Sequence, residues 1–206
     1  LSMAFFTVAY GGLSDRFGRK RVLLAGLVLF TCGAAACMVA ANMPMLLAGR
    51  ILQGAGAGCG VVLVRAIARD VYGQDRVAQV IAYLTAAYVL GPMVAPPIGG
   101  QLTVLFGWRA LFVLASAVGL LVILAVIVGV PETRARSAAL PYGVIAGYKS
   151  LLRRPRFVGF MLQPGLMSGA FYTQATAASF LAAEHLGADA AKIGLWFFAF
   201  PIGFMT

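Results

Sequence analysis

Arg50 stands inside the apolar run 44–68, three residues before Gln53 and beside Gly54-x-Gly56-Ala57-Gly58. An arginine keeps its charge in any protein, and holding that charge in hydrocarbon costs about 3 kcal/mol or more, so it is a functional residue by default. On a helix, Arg50, Gln53, Gly54, Ala57 and Gly58 share one broad face. Pro44 suits the first helical position, which puts Arg50 about 9 Å along the axis and inside the membrane. A second group is Gly11-Gly12-Leu13-Ser14-Asp15-Arg16-Phe17-Gly18-Arg19-Lys20-Arg21. It predicts an apolar helix, a tight turn and another helix, with Gly11 and Gly18 allowing close approach and an unusual backbone turn. Asp15, at the membrane boundary, is expected to pair with Arg19 or with a nearby helix end. In a third group Gly91, Ala95 and Gly99 recur at four-residue spacing as a packing ridge, while Pro92, Pro96 and Pro97 are expected to bend the span. Gly54/Gly58 and Gly56/Gly60 are similar small pairs. One histidine, no paired carboxylates within a span and no serine beside a base leave no catalytic residue and no metal site to assign, and the chain is not expected to be an enzyme.

The elements that must position these residues are membrane spans. With 62% hydrophobic residues, 11% charged and a mean hydropathy of +0.93, 206 residues carry too little polar surface for a soluble domain. A span takes about 20 apolar residues. Seven apolar segments are read, at 1–13, 22–41, 44–68, 77–104, 109–130, 157–182 and 190–206. Backbone groups in lipid must be paired within each segment, so the fold class is all-α, a polytopic membrane protein. The net charge of +10 sits in connectors beside spans, a topology and lipid-headgroup pattern rather than a nucleic-acid surface. Arg16, Arg19, Lys20 and Arg21 lie in the first connector, Arg69 and Arg76 in the third, and Arg134, Arg136, Lys149, Arg153, Arg154 and Arg156 in the fifth. The opposite connectors hold little beyond Arg109 and Lys192, so connectors one, three and five face the cytoplasm.

Three units follow: an N-terminal bundle at 1–130, a cytoplasmic linker at 131–156 opened by Pro131-Glu132-Thr133, and the start of a second bundle at 157–206. The linker is expected to include a short amphipathic surface helix near 147–152. Cys32, Cys37 and Cys59 are expected to be small buried packing residues, and His185 a solvated connector residue. Leu1 opens inside an apolar run and Thr206 closes inside another, so the chain is expected to be a piece of a longer protein.

Residues 11–21 resemble the loop signature of the major facilitator superfamily, G-x-L-x-D-R-x-G-R-[KR], through Gly11, Leu13, Asp15, Arg16, Gly18, Arg19 and Lys20. Leu46-x3-Arg50-x2-Gln53-Gly54-x-Gly56 is similar to that family's fourth-helix motif. Gly91-x3-Ala95-Pro96-x2-Gly99-Gly100 resembles its fifth-helix antiporter motif, with Ala95 where a glycine is usual. The alanine form, Arg65-Ala66-Ile67-x-Arg69-Asp70 and Pro131-Glu132-Thr133 all resemble the bicyclomycin- and chloramphenicol-resistance (Bcr/CflA-like) branch of drug:proton antiporters.

The resemblance runs along essentially the whole chain and carries several implications. The fold is a major facilitator-type helical bundle of which this chain holds helices two to eight. Arg50 serves proton coupling with an acid on the absent first helix. Asp15, Arg19 and Asp70 form a conformational charge cluster, and Gly91, Pro96, Gly99 and Gly100 a tight seam. The energy source is the proton gradient, without a cofactor. The partners are a small-molecule substrate, protons and membrane lipid, with no nucleic acid and no oligomer required, in a bacterial inner (plasma) membrane. The function implied is secondary active, proton-coupled efflux of drugs or small apolar or cationic compounds. A solute importer of the same superfamily and a non-transporting receptor or scaffold are the alternatives. The substrate-binding residues stay unassigned: Gln163, Tyr172, Thr173, Gln174, Thr176 and Ser179, with Tyr83 and Tyr88, either line a cavity or knit helices together.

Overall fold

The computed structural model describes residues 2–133, 149–187, 189 and 191–197. Its main helices are α1 (Ser2–Phe17), α2 (Arg19–Met38), α3 (Met43–Gly73), α4 (Asp75–Phe106), α5 (Arg109–Gly129) and α6 (Pro155–Leu186), and residues 191–197 are also helical. Helices α2, α3, α4 and α5 are long and apolar enough to cross a membrane. Their outer faces expose Leu47, Ile51, Leu105, Phe106, Leu121 and Leu124, which suits contact with lipid chains rather than water. Helix α3 is entered through Asn42, whose side chain accepts the Met45 N–H at 2.9 Å, with Pro44 in the first turn.

Glycines set how closely α2 and α3 pack. Gly26 and Gly33 on α2 recur seven residues apart, as do Gly49 and Gly56 on α3, and the two pairs face each other antiparallel. A Cβ at Gly33 would lie 2.8 Å from Gln53 Cα, and one at Gly56 would lie 2.7 Å from Phe30 Cα and collide with the Gly26 carbonyl. Cys37 and Cys59 fill the layers between, their Sγ atoms 3.6 Å from the Leu46 carbonyl and 3.8 Å from the Leu23 carbonyl. Helix α1 seats on the other side of α3. There a Cβ at Gly58 would come within 2.7 Å of Thr7 Oγ1, and the Tyr10 hydroxyl donates to the Ala55 carbonyl at 2.9 Å. Helix α5 closes on α2 where Gly119 meets Thr31. The core gathers Tyr10, Val22, Leu23, Cys59, Leu63 and Val126 from α1, α2, α3 and α5.

Several expectations change. Gly54/Gly58 is a close-approach pair, but nothing lies within 4 Å of a Cβ at Gly60, nor of one at Gly11. The third connector is helical apart from Gly73, whose φ of 64° and ψ of −174° break the run; the backbone stays helical around Pro92, Pro96 and Pro97. Cys37 and Cys59 are buried, whereas Cys32 is exposed. His185 is exposed but belongs to the last turn of α6. Arg134, Arg136 and most of the seventh segment lie outside the described residues. So do residues 147 and 148 of the expected surface helix, whose remainder, 149–152, is helical.

Candidate functional site

The turn between α1 and α2 is made by Gly18 at φ 103°, ψ 145°, a region that side chains other than glycine's rarely enter. It folds Asp15, on the last turn of α1, back toward Arg19, on the first of α2. Arg19 Nη1 lies 2.7 Å from Asp15 Oδ1, and its Nε lies 3.1 Å from Asp70 Oδ2, which comes from the inner end of α3. The structure therefore brings together the three charges named from the sequence. It adds a neutral group that the sequence did not suggest: buried Ser14, whose Oγ accepts from Arg19 Nη1 at 2.5 Å and donates to the Gly11 carbonyl at 2.9 Å. Arg16 turns away and lies 5.4 Å from the centre of the Phe17 ring, and Leu13 is exposed. Lys20 Nζ donates to the Ile127 carbonyl at 2.8 Å, at the end of α5.

Asp15, Arg19, Asp70 and the end of α5 thus lie at one end of the bundle. Arg109 is at the other, donating to the Ala40 carbonyl at 3.1 Å and lying 4.8 Å from the Trp108 ring. That is the alternation of ends the basic connectors predict.

Arg50 lies about 10 Å along α3 from Met43. Its Nη1 donates to Gln53 Oε1 at 2.8 Å, and its guanidinium sits 5.8 Å from the Phe112 ring centre on α5. Together with Leu46, Gln53, Trp108, Leu111, Phe112 and Ala115 it lines an open cavity of about 450 Å³. Gln53 is buried, so the arginine satisfies an amide that would otherwise be costly there. Among the described residues Arg50 makes no ion pair. Phe112 carried no signal in the sequence, since one phenylalanine in an apolar run looks like any other.

On α4, nothing lies within 4 Å of a Cβ at Gly91, one at Gly99 would touch only Leu111 at 3.5 Å, and Gly100 is buried. The close contact is at Pro96 and Pro97: a Cβ at Gly194, in the helical stretch 191–197, would lie 2.9 Å from the Pro96 carbonyl carbon and 3.1 Å from Pro97 Cα. Among the polar residues of α6, Thr176 and Ser179 donate to carbonyls one turn back on their own helix. Tyr172 is different, since its hydroxyl lies beside that of Tyr88 on α4.

Long apolar helices packed through glycine, with a charge cluster at one end and an arginine partway along a span, define a multi-pass helical membrane protein. The profile of the Major Facilitator Superfamily matches residues 1–206, and the chain belongs to that family. It is 30% identical over 198 residues to the bicyclomycin resistance protein homolog of Haemophilus influenzae, covering 95% of this chain and 50% of that protein. It is 31% identical over 176 residues to the MFS-type transporter YdgK of Bacillus subtilis, covering 83% of this chain and 44% of that protein. Over 152 residues it is 35% identical to the multidrug resistance protein MdtL of Escherichia coli, covering 74% and 39%. The chain spans about half the length, or less, of these relatives. It is a multi-pass polypeptide of the bacterial inner membrane.

Proposed function

We propose that the full-length protein is a proton-coupled exporter of drugs or small apolar or cationic compounds. The observation that carries this reading is Arg50, a permanent charge held partway along a membrane-crossing helix and turned into a cavity beside Phe112 and Trp108. A cation placed within a span depresses the proton affinity of an acid brought near it, the property a proton-coupled cycle needs. The relatives named for bicyclomycin and multidrug resistance support export as the direction and drugs as the cargo. On this reading 1–130 belongs to one bundle, 131–156 is the connector and 157–206 opens the second bundle. The proton gradient supplies the energy without a cofactor. Arg50 serves coupling; Asp15, Arg19 and Asp70 hold one conformation; and the seam at Pro96, where Gly194 packs closely, limits leak, with no such close contact at Gly91 or Gly99 among the described residues.

The test is accumulation in cells expressing the full-length protein, using bicyclomycin, chloramphenicol and a cationic dye. Lower accumulation that an uncoupler restores is expected. Raised accumulation would indicate an importer, and no change for any compound would remove export of these compounds.

The cluster has its own prediction. Asp15 is 42% exposed at its side chain, so its pair with Arg19 is worth under about 1 kcal/mol. Asp15→Asn is therefore expected to shift the ratio of inward- to outward-accessible engineered cysteines by no more than about fivefold. Asp70, at 23%, is better sheltered, and Asp70→Asn is expected to shift that ratio further. Unaltered accessibility in both would reject the conformational role.

A further inference from the structure

The first turn of α2 poses an electrostatic problem that its own sequence does not solve. It begins Arg19-Lys20-Arg21, three cations at the positive end of the helix dipole. There is no acidic residue in that turn, and the capping residue, Gly18, has no side chain. The carboxylate that answers it comes from far along the chain. Glu132 Oε1 accepts the Arg19 N–H at 2.8 Å and the Lys20 N–H at 3.4 Å, across 113 and 112 residues of sequence. Lys20 returns the contact by donating from Nζ to the Ile127 carbonyl at the negative end of α5. The ends of α2 and α5 thus exchange an anion for a cation, each at the dipole end that favours it. Gly18 is part of the fit, since a Cβ there would lie 2.7 Å from Glu132 Oε2 and 3.0 Å from its Cδ.

Arg19 has two commitments. Its amide belongs to the Glu132 clasp, while its guanidinium holds Ser14, Asp15 and Asp70. We propose that Glu132 is a positioning residue of the transport cycle. It caps α2 and so ties the chain immediately after α5 to the Asp15–Arg19–Asp70 cluster through Arg19. The proposal rests on the reading above that this cluster sets the conformational balance. Loss of the carboxylate loosens the first turn of α2, lets the guanidinium drift from its two acids, and shifts the balance in the same direction as loss of Asp70.

Two measurements on the full-length protein in lipid nanodiscs test this. Hydrogen–deuterium exchange at the Arg19 and Lys20 amides compares wild type with E132A and E132Q. About tenfold faster exchange is expected in E132A, as for a lost charge-assisted hydrogen bond, with a smaller rise in E132Q, which keeps an acceptor oxygen. Unchanged exchange in E132A overturns the proposal. If E132A does not accumulate, E132Q decides: faster exchange at those two amides supports the cap, and wild-type exchange overturns it.

The second measurement is the accessibility ratio of an engineered cysteine. E132A and D70N are each expected to shift it in one direction, and the double variant no further than the larger single shift. A merely structural cap would give additive shifts or none from E132A, and either result overturns the coupling. If D70N shifts nothing while the two amides still respond, the reading of the cluster fails and takes the coupling with it. A silent E132A beside an active D70N overturns the coupling alone.

Discussion

Arg50→Ala in the full-length protein is expected to lower gradient-driven efflux at least tenfold and to move the pH dependence of whatever remains. The sign follows from electrostatics. A cation favours the ionised form of a nearby acid and so lowers its proton affinity; without it that affinity rises, by an amount of about 1–3 pH units for charges within about 6 Å. The midpoint of the residual activity therefore moves to higher pH. Truncation also leaves Gln53, which is buried, without the donor that now satisfies its amide oxygen. Arg50→Gln separates the two effects, because it fills similar space and retains an N–H for Gln53 while removing the charge. The expected order is wild type, then Arg50→Lys, then Arg50→Gln and Arg50→Ala together at the bottom. Initial rates of dye efflux across a series of external pH values give the comparison. Wild-type rate and midpoint in Arg50→Gln would remove Arg50 from the coupling mechanism.

Gly56→Leu is expected to prevent the bundle from forming. The atoms a side chain would meet there are backbone, the Phe30 amide and Cα and the Gly26 carbonyl, and backbone cannot rotate aside as a side-chain end can. The helices would have to separate along a seam set by Gly26, Gly33, Gly49 and Gly56, at a cost of at least about 3 kcal/mol. Even Gly56→Ala places a Cβ 2.7 Å from Phe30 Cα and is expected to lower the melting temperature measurably. Size-exclusion profiles and thermal melting in detergent report both effects. A monodisperse Gly56→Leu protein melting with the wild type would contradict the antiparallel glycine register of α2 and α3.

Local physics made much of this legible beforehand. A glycine between Phe17 and Arg19, with charge on both sides, announced a turn, and Gly18 makes it at positive φ. Asp15 and Arg19 stand at helical spacing and do meet. Helix ends were harder to read, because apolar counting sees only the length in lipid. Arg19–Arg21 extend α2 beyond it at one end, as Ser14–Phe17 extend α1.

What escaped was relational. The seven-residue recurrence of Gly26/Gly33 and Gly49/Gly56 is printed in the sequence, yet which small residues meet depends on which helix faces turn together. By that rule Gly60 looks outward although it continues the same ridge. Glu132 is separated from Arg19 by 113 residues, and no local pattern says that a distant carboxylate caps a helix lacking its own. Cys32 was misplaced for a reason peculiar to membranes: where the surroundings are apolar, an apolar run does not tell inside from outside. The backbone around the prolines of α4 keeps helical angles, and the run from Met43 to Phe106 is broken at Gly73, where φ is 64°.

Coupling itself is read most directly by the sign of proton movement. Liposomes containing the full-length protein are loaded with bicyclomycin or a cationic dye and a pH-reporting fluorophore, then diluted into substrate-free buffer. If the protein exchanges substrate for protons, substrate leaving draws protons in and the lumen acidifies, and Arg50→Gln liposomes do not respond. A lumen that turns alkaline, or one that stays unchanged while substrate leaves, would contradict the account.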